Sequence, residues 1–315
     1  MFPIQLQILS DLHLETSATR PTYAEFSITP RCPNLALLGD IGNVLDPLLL
    51  EFLDIQLDKF ELVFLVLGNH EPYGSSYAAT KQLIRGFEER VNAPRERRGR
   101  FVFLDQTRFD LSDSVTVLGC TLFSHISPSQ SASVFRFVSD FSNIDGWDVA
   151  AHNAAHAADL AWLNAEVALI EQEEPQRAIA VLTHYSPTLL AAANDPRHVG
   201  DEVGVRSAFV TDVSSEVCWR SKSVRVWGFG HTHFCCDFVD AGKRVVANQK
   251  GYRRTESLGF DGEKLIEIEA PGDVVCVAGI TMRGLGAEGR DGVIGGSSID
   301  SPEDGVVGGA WDHDP

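Results

Sequence analysis

The chain has 315 residues, 44% hydrophobic and 22% charged, enough for one large buried core with room for appendages. Forty-four acidic against 26 basic residues give a formal charge of −18, which opposes binding along a duplex nucleic acid. No apolar run approaches the roughly 20 residues that cross a bilayer, so neither a membrane nor a long polyanion is an expected partner.

The opening MFPIQLQILSDLH lacks a basic n-region and a cleavage site. It reads as a first strand ending in Asp11-Leu12-His13, not as a signal peptide, and the expected compartment is cytoplasmic. After a surface loop over 15–33, the run Leu35-Ala36-Leu37-Leu38 stops at Gly39, and Asp40 follows. Such runs suit strands buried on both faces, as in a parallel sheet. Gly39 permits a sharp turn at the carboxyl end, where open α/β sheets bind ligands. Taken alone, Asp40 could equally cap a helix.

Asp46-Pro47 opens a helix over 48–59, with proline near its first turn. A strand over 62–67 leads to Asn69-His70, and the spacing of Tyr77, Leu83, Ile84, Phe87 and Val91 predicts a helix over 76–91. The basic run PRERRGR over 94–100 reads as a solvated loop. Strands over 101–104, 108–111 and 114–121 are expected to be antiparallel. His125 lies in the loop beyond them and is a candidate for touching substrate. A long helix over 148–173 carries His152 and His156 one turn apart. Without the glutamate of an HExxH motif they read as packing or supporting residues, not metal ligands.

A strand over 178–183 delivers His184, and 186–216 reads as a loop with a short helix. A strand over 224–227 delivers His231 and His233, and 235–240 with 244–248 form a hairpin. Lys250, Arg253 and Arg254 read as surface cations. The composition then shifts: the 45 residues from Pro271 hold 11 of the 27 glycines, with eight acidic residues against two basic. The chain is expected to divide into a domain over 1–270 and a tail over 271–315. The VVCVAGI in that tail is a candidate edge strand, and the rest, including His313, is expected to be disordered. The six cysteines lack a CxxC spacing and read as buried or free thiols.

Five apolar runs thus deliver Asp, Asn or His at their ends, in the order DxH, GD, GNH, H and GHxH. This pattern resembles the calcineurin-like metallophosphoesterase superfamily over roughly 4–252. The closing Asn248-Gln249-Lys250-Gly251-Tyr252 is similar to an Asn-Pro-basic-Gly-Tyr block of small bacterial members, with Gln249 in place of the proline. The resemblance implies an α/β fold, a β-sandwich of two mixed sheets flanked by helices.

Seven mixed nitrogen and oxygen donors exceed what one ion can use, whereas a bridging carboxylate can serve two. The resemblance implies Asp11, His13, Asp40 and His233 at one metal and Asp40, Asn69, His184 and His231 at the other. Such a donor set suits two divalent ions of the Mn, Fe, Zn or Ni type. It also implies that a metal-activated hydroxide attacks phosphorus, with His70 protonating the leaving group or steadying the transition state.

Ser/Thr protein phosphatases of the superfamily carry arginines in the block GDxVDRG and just before GNH. Those places read Gly39-Asp40-Ile41-Gly42-Asn43 and Leu67-Gly68-Asn69-His70 here. A phosphomonoester dianion gains more from guanidinium forks than a diester monoanion does. The expected substrate is therefore a small phosphodiester such as a cyclic nucleotide. The alternatives are a phosphomonoesterase, a nucleotide pyrophosphohydrolase, or a non-catalytic scaffold on the same fold.

Overall fold

Successive residues of each inner strand face two different hydrophobic cores, which is why these runs read as continuous and not alternating. The computed structural model describes residues 3–16, 20–93, 99–198, 200, 203–252 and 258–269. One sheet contains β1 (Ile4–Leu9), β2 (Asn34–Leu38), β3 (Leu62–Val66) and β4 (Arg100–Phe103), all parallel, with a further strand on the outer edge of β1. The second sheet contains β5 (Thr107–Asp110), β6 (Val115–Gly119), β7 (Ala178–Leu182), β8 (Val224–Phe229), β9 (Cys236–Asp240) and β10 (Lys243–Ala247), in the order β5-β6-β7-β8-β10-β9. Strands β6, β7, β8 and β10 are parallel, with β5 and β9 antiparallel at the two edges. The edge strand of the first sheet, β11 (Leu265–Ile268), runs antiparallel to β1.

Between the sheets lie Leu6, Ile8, Leu38, Phe64 and Val66 from one side and Val117, Ala180, Leu182, Val226 and Val246 from the other. The alternate residues Leu35, Leu37, Val63 and Leu65 pack outward, where α1 (Pro47–Leu57) contributes Leu49, Phe52 and Leu53 and α2 (Tyr77–Asn92) contributes Ile84 and Phe87. Asp46 and Ser76 cap these two helices through their side chains. Two short helices follow β6, α3 (Ser131–Phe137) and α4 (Asp140–Asn143). The long α5 (Val149–Glu173) and short α6 (Val217–Arg220) cover the outer face of the second sheet through Leu163, Val167, Ile170 and Trp219. The fold is thus an α/β sandwich of two mixed sheets flanked by helices.

Two expectations change. The three strands over 101–121 are not one antiparallel group, because β4 pairs parallel with β3 in the first sheet. There Phe101 meets Phe87 of α2 edge-on at 5.0 Å, burying both rings. The chain then crosses to the second sheet through Gln106, whose φ of 50° reverses it, and only β5 and β6 are antiparallel. Strand β11 was not anticipated, although LIEI alternates as an edge strand should. The candidate strand VVCVAGI, the rest of the tail, and Arg253 and Arg254 lie outside the described residues.

His152 and His156 are buried on α5 and serve the loop after β6. The backbone N–H of Ser124 donates to His152 Nε2 at 3.2 Å, and His156 Nδ1 bonds to the Leu122 carbonyl at 2.9 Å. Burial pushes the His152 pKa down to about 3, with His156 adding to the effect, so the fold holds this ring neutral. The unfolded chain takes up a proton below pH 6.5 that the folded chain refuses. The stability this ring contributes is therefore complete above pH 6.5 and drains away as pH falls. In His152→Gln the stability gap to wild type should narrow by about 2 kcal/mol between pH 6.5 and 5, read by urea denaturation. A gap that stays constant over that range would contradict a buried neutral ring.

Candidate metal centre

Five parallel strands end at one edge of the sandwich and hand their polar residues to the same place. Their turns are bonded to one another through the backbone: the N–H of Asp11 to Gly39 O at 3.0 Å, of His13 to Asp40 O at 2.9 Å, and of Gly230 to His184 O at 2.8 Å. A bridge between Ser10 and Gln249 joins the two sheets at this edge. Asp11, His13, Asp40, His231 and His233 all have φ between 45° and 72°, left-handed backbone that costs on the order of 1 kcal/mol or more for a side-chain-bearing residue. Two glycines allow the loops to close. Gly39 has φ 85°, and a Cβ there would sit 2.6 Å from the Gly68 nitrogen. A Cβ on Gly68 would collide with Asp40 Oδ1 and lie 2.7 Å from His184 Cε1.

The structure brings all seven expected metal-binding side chains together in two adjoining clusters. In the first, Asp11, His13 and His233 converge, with His13 Nε2 at 3.0 Å from His233 Nε2 and His233 Nε2 at 3.4 Å from Asp11 Oδ1. In the second, Asp40 meets His184 and His231, with His184 Nε2 at 3.4 Å from Asp40 Oδ2 and 3.2 Å from Asn69 Oδ1. Asp40 Oδ2 also lies 3.8 Å from His13 Nε2, so one oxygen faces both clusters. Its Oδ1 accepts the backbone N–H of His70 at 2.8 Å. Apart from His233, which is 18% exposed, these side chains are buried.

The donor set fits divalent cations. His184 Nδ1 donates to the Leu38 carbonyl at 2.7 Å, which leaves Nε2 to face Asn69 Oδ1, lone pair towards lone pair. The His231 Nε2 atom is buried without a hydrogen-bond partner. Nitrogens aimed at nitrogens and oxygens need a proton or a metal between them, and buried polar atoms do not stay unsatisfied without reason. Protons can partly play that role: burial opposes charge on His184, but Asp40 outweighs it and raises the pKa to about 9.

A surrounding layer fixes these groups. The carboxylate of Glu71 accepts three backbone N–H bonds, from Asp40 at 3.1 Å, Ile41 at 2.8 Å and Gly68 at 2.8 Å, and so clamps two of the turns. Asp140 on α4 accepts from Asn69 Nδ2 at 2.8 Å and from the Tyr73 hydroxyl at 2.7 Å, turning the Asn69 oxygen inward. Glu15 lies 3.2 Å from His13 Nδ1 and 3.3 Å from His70 Nδ1. Burial raises the Glu15 pKa, but the bonds from His13 and His70 more than reverse this and bring it to about 2. His70 Nε2 meets the Tyr252 hydroxyl at 2.6 Å, and the Tyr252 ring lies over His13 at 4.0 Å between centroids. Burial disfavours an imidazolium at His70, yet Asp40 and Glu15 hold its pKa up to about 10.

His125 is not drawn into either cluster. Its side chain is exposed, its ring neighbour is His156 at 6.2 Å, and its backbone N–H donates to Thr211. Conversely, roles for Glu15, Glu71, Asp140 and Tyr252 were not read from the sequence. Glu15 and Glu71 each follow closely on a motif histidine, which was a usable signal. Asp140 lies in an irregular segment with no periodicity to mark it.

Residues 6–235 match the family model described as calcineurin-like phosphoesterase, and the chain belongs to that family; it is a metal-dependent phosphoesterase with His and Asp metal-binding groups. Among its relatives is "Uncharacterized protein L509" of Acanthamoeba polyphaga mimivirus, 26% identical over a 279-residue alignment, with 84% of this chain and 96% of that protein covered. Among solved structures, the phosphopantetheinyl hydrolase PptH of Mycobacterium tuberculosis superposes with a TM-score of 0.60 at 16% identity, covering 84% of this chain and 95% of that one. That likeness is one of fold.

Wild-type protein equilibrated with Mn(II) or Zn(II) and desalted should retain about two ions per chain by elemental analysis. Asp40→Asn should retain one or fewer. A variant that still holds two would show that Asp40 is not shared.

Proposed function

We propose that the protein hydrolyses a small phosphodiester, with a cyclic nucleotide as one example of the class, at a dinuclear metal centre. The observation that carries the reading is the content of the two positions where the family's protein phosphatases place arginines. Here they are Val44 and Leu67, 4% and 1% exposed, and both belong to the hydrophobic core beneath α1 and α2. Neither position presents a guanidinium to a phosphomonoester dianion, whereas a diester carries one charge fewer to neutralise. The acidic surface favours a small ester over a long nucleic acid. Five free cysteines among the described residues suit the reducing cytoplasm, and no described helix is long and apolar enough to cross a membrane.

One cation site is formed by Asp11, His13, Asp40 and His233, and the other by Asp40, Asn69, His184 and His231. Divalent ions held there supply Lewis acidity at the phosphoryl oxygens and an activated water as nucleophile. Asp40 holds the two halves in register, and its bond to the His70 N–H sets where the His70 ring can stand. Protonated at both nitrogens, His70 sets Nδ1 3.3 Å from Glu15 Oε1 as an ion pair and turns Nε2 to the Tyr252 oxygen at 2.6 Å. The Nε2 proton is the one available to a leaving alkoxide, which takes the place of the Tyr252 hydroxyl. Glu71 and Asp140 do no chemistry; they keep the turns and the Asn69 amide from rotating.

With Mn(II), kcat/KM on bis-p-nitrophenyl phosphate should exceed that on p-nitrophenyl phosphate by at least about tenfold, a difference of about 1.4 kcal/mol. The reverse order would transfer the assignment to a monoesterase or pyrophosphohydrolase. His70→Ala should lower kcat on an alkyl diester by about 10²–10⁴-fold while metal content stays near two. Undiminished turnover would remove His70 from the reaction.

A further inference from the structure

We infer that Glu15 is a positioning residue that serves two histidines at once, the metal-binding His13 and the proton-donating His70. The inference rests on the role given to His70 above. A single oxygen, Glu15 Oε1, stands 3.2 Å from His13 Nδ1 and 3.3 Å from His70 Nδ1. The two rings meet edge-on with centroids 4.5 Å apart, so one carboxylate oxygen reaches both. Each ring is thereby fixed with Nδ1 protonated, which directs His13 Nε2 to the first cluster and His70 Nε2 outward to Tyr252. A carboxylate behind a metal-binding histidine orients the ring and raises its basicity. Here the same carboxylate also sets the aim of the acid.

The position of Glu15 is itself fixed by the main chain. The N–H of Leu14 bonds to Ile41 O at 3.1 Å, while the Thr16 N–H and hydroxyl both return to the His13 carbonyl, at 3.2 and 2.7 Å. Glu15 is held in the turn between them. Asn43, the polar residue of the neighbouring turn after Asp40, cannot substitute. Its amide donates to Tyr73 O at 2.9 Å and its oxygen accepts from Leu45 N–H at 2.8 Å. Glu15 Oε2, meanwhile, is buried without a hydrogen-bond partner, so the carboxylate is committed to the histidines through its other oxygen. No bond is made or broken at Glu15, which keeps its charge throughout while the proton leaves from His70 Nε2.

The test uses the full-length protein as wild type, Glu15→Gln, His70→Ala and the double variant, each saturated with Zn(II). Glu15→Gln should bind at least one of its two ions about 10–100-fold more weakly by titration calorimetry. At saturating metal it should still lose kcat by tenfold or more on a diester with a phenyl leaving group, and much less on the p-nitrophenyl analogue, which departs without a proton. In the His70→Ala background the same substitution should change kcat less than twofold. A loss equal for both leaving groups, or one fully additive with His70→Ala, would overturn the link to His70. Ring-nitrogen NMR of the Zn(II) protein provides a readout without turnover. His13 and His70 should both show a protonated Nδ1 in wild type, and both should change in Glu15→Gln. If no ester is cleaved, the hydrolase assignment fails while these spectra still decide the role of Glu15; an unaltered His70 signal would sink it.

Discussion

The carboxylate of Asp40 is the constraint from which the centre is built. One oxygen is occupied by the His70 N–H, and the other looks at histidines from both clusters. A buried anion in that position is tolerable only if cationic partners surround it, because an isolated charge in a low-dielectric interior is strongly penalised. The chain supplies the fixed part of that compensation from backbone amides and imidazoles, and Glu71 holds the turn so that the carboxylate cannot swing away. The apolar strands behind it give no chemistry, but their close packing fixes five loop ends to within hydrogen-bonding distance of one another.

Much of this was legible in the sequence because the strands are fully buried. A run such as Leu35-Ala36-Leu37-Leu38 announces a strand with two covered faces, and the polar residue just past its end has nowhere to go but the sheet edge. What could not be read was partnership across the chain. Strand β4 resembles its neighbours in composition, and only the crossover through α2 sends it into the first sheet. For His125, residue type and loop position suggest a site residue, and the structure sets its ring beside His156 and its N–H on Thr211, outside both clusters.

Supporting residues were less visible still, for a physical reason. A metal-binding side chain must be one of a few types, so its identity is informative on its own. A residue that orients it needs only one acceptor in the right place, and Glu15, Asp140 and Tyr252 are ordinary residues until distances are known. Glu15 and Glu71 differ from Asp140 in lying beside the motifs they serve, so local spacing carries some trace of them. Asp140 reaches Asn69 across 71 residues and leaves no such trace.

The bridge between Ser10 and Gln249, and the meeting of His13 with His233 220 residues later, give the centre a place in the order of folding. The first sheet's parallel strands can assemble from the early part of the chain, but the cation pocket cannot close until β8 and β10 have emerged and docked. A fold that depends on contacts so distant in sequence is expected to form slowly. Ions that prefer the closed pocket would favour the finished molecule over every partly assembled one, so cations held by these groups would also latch the completed fold.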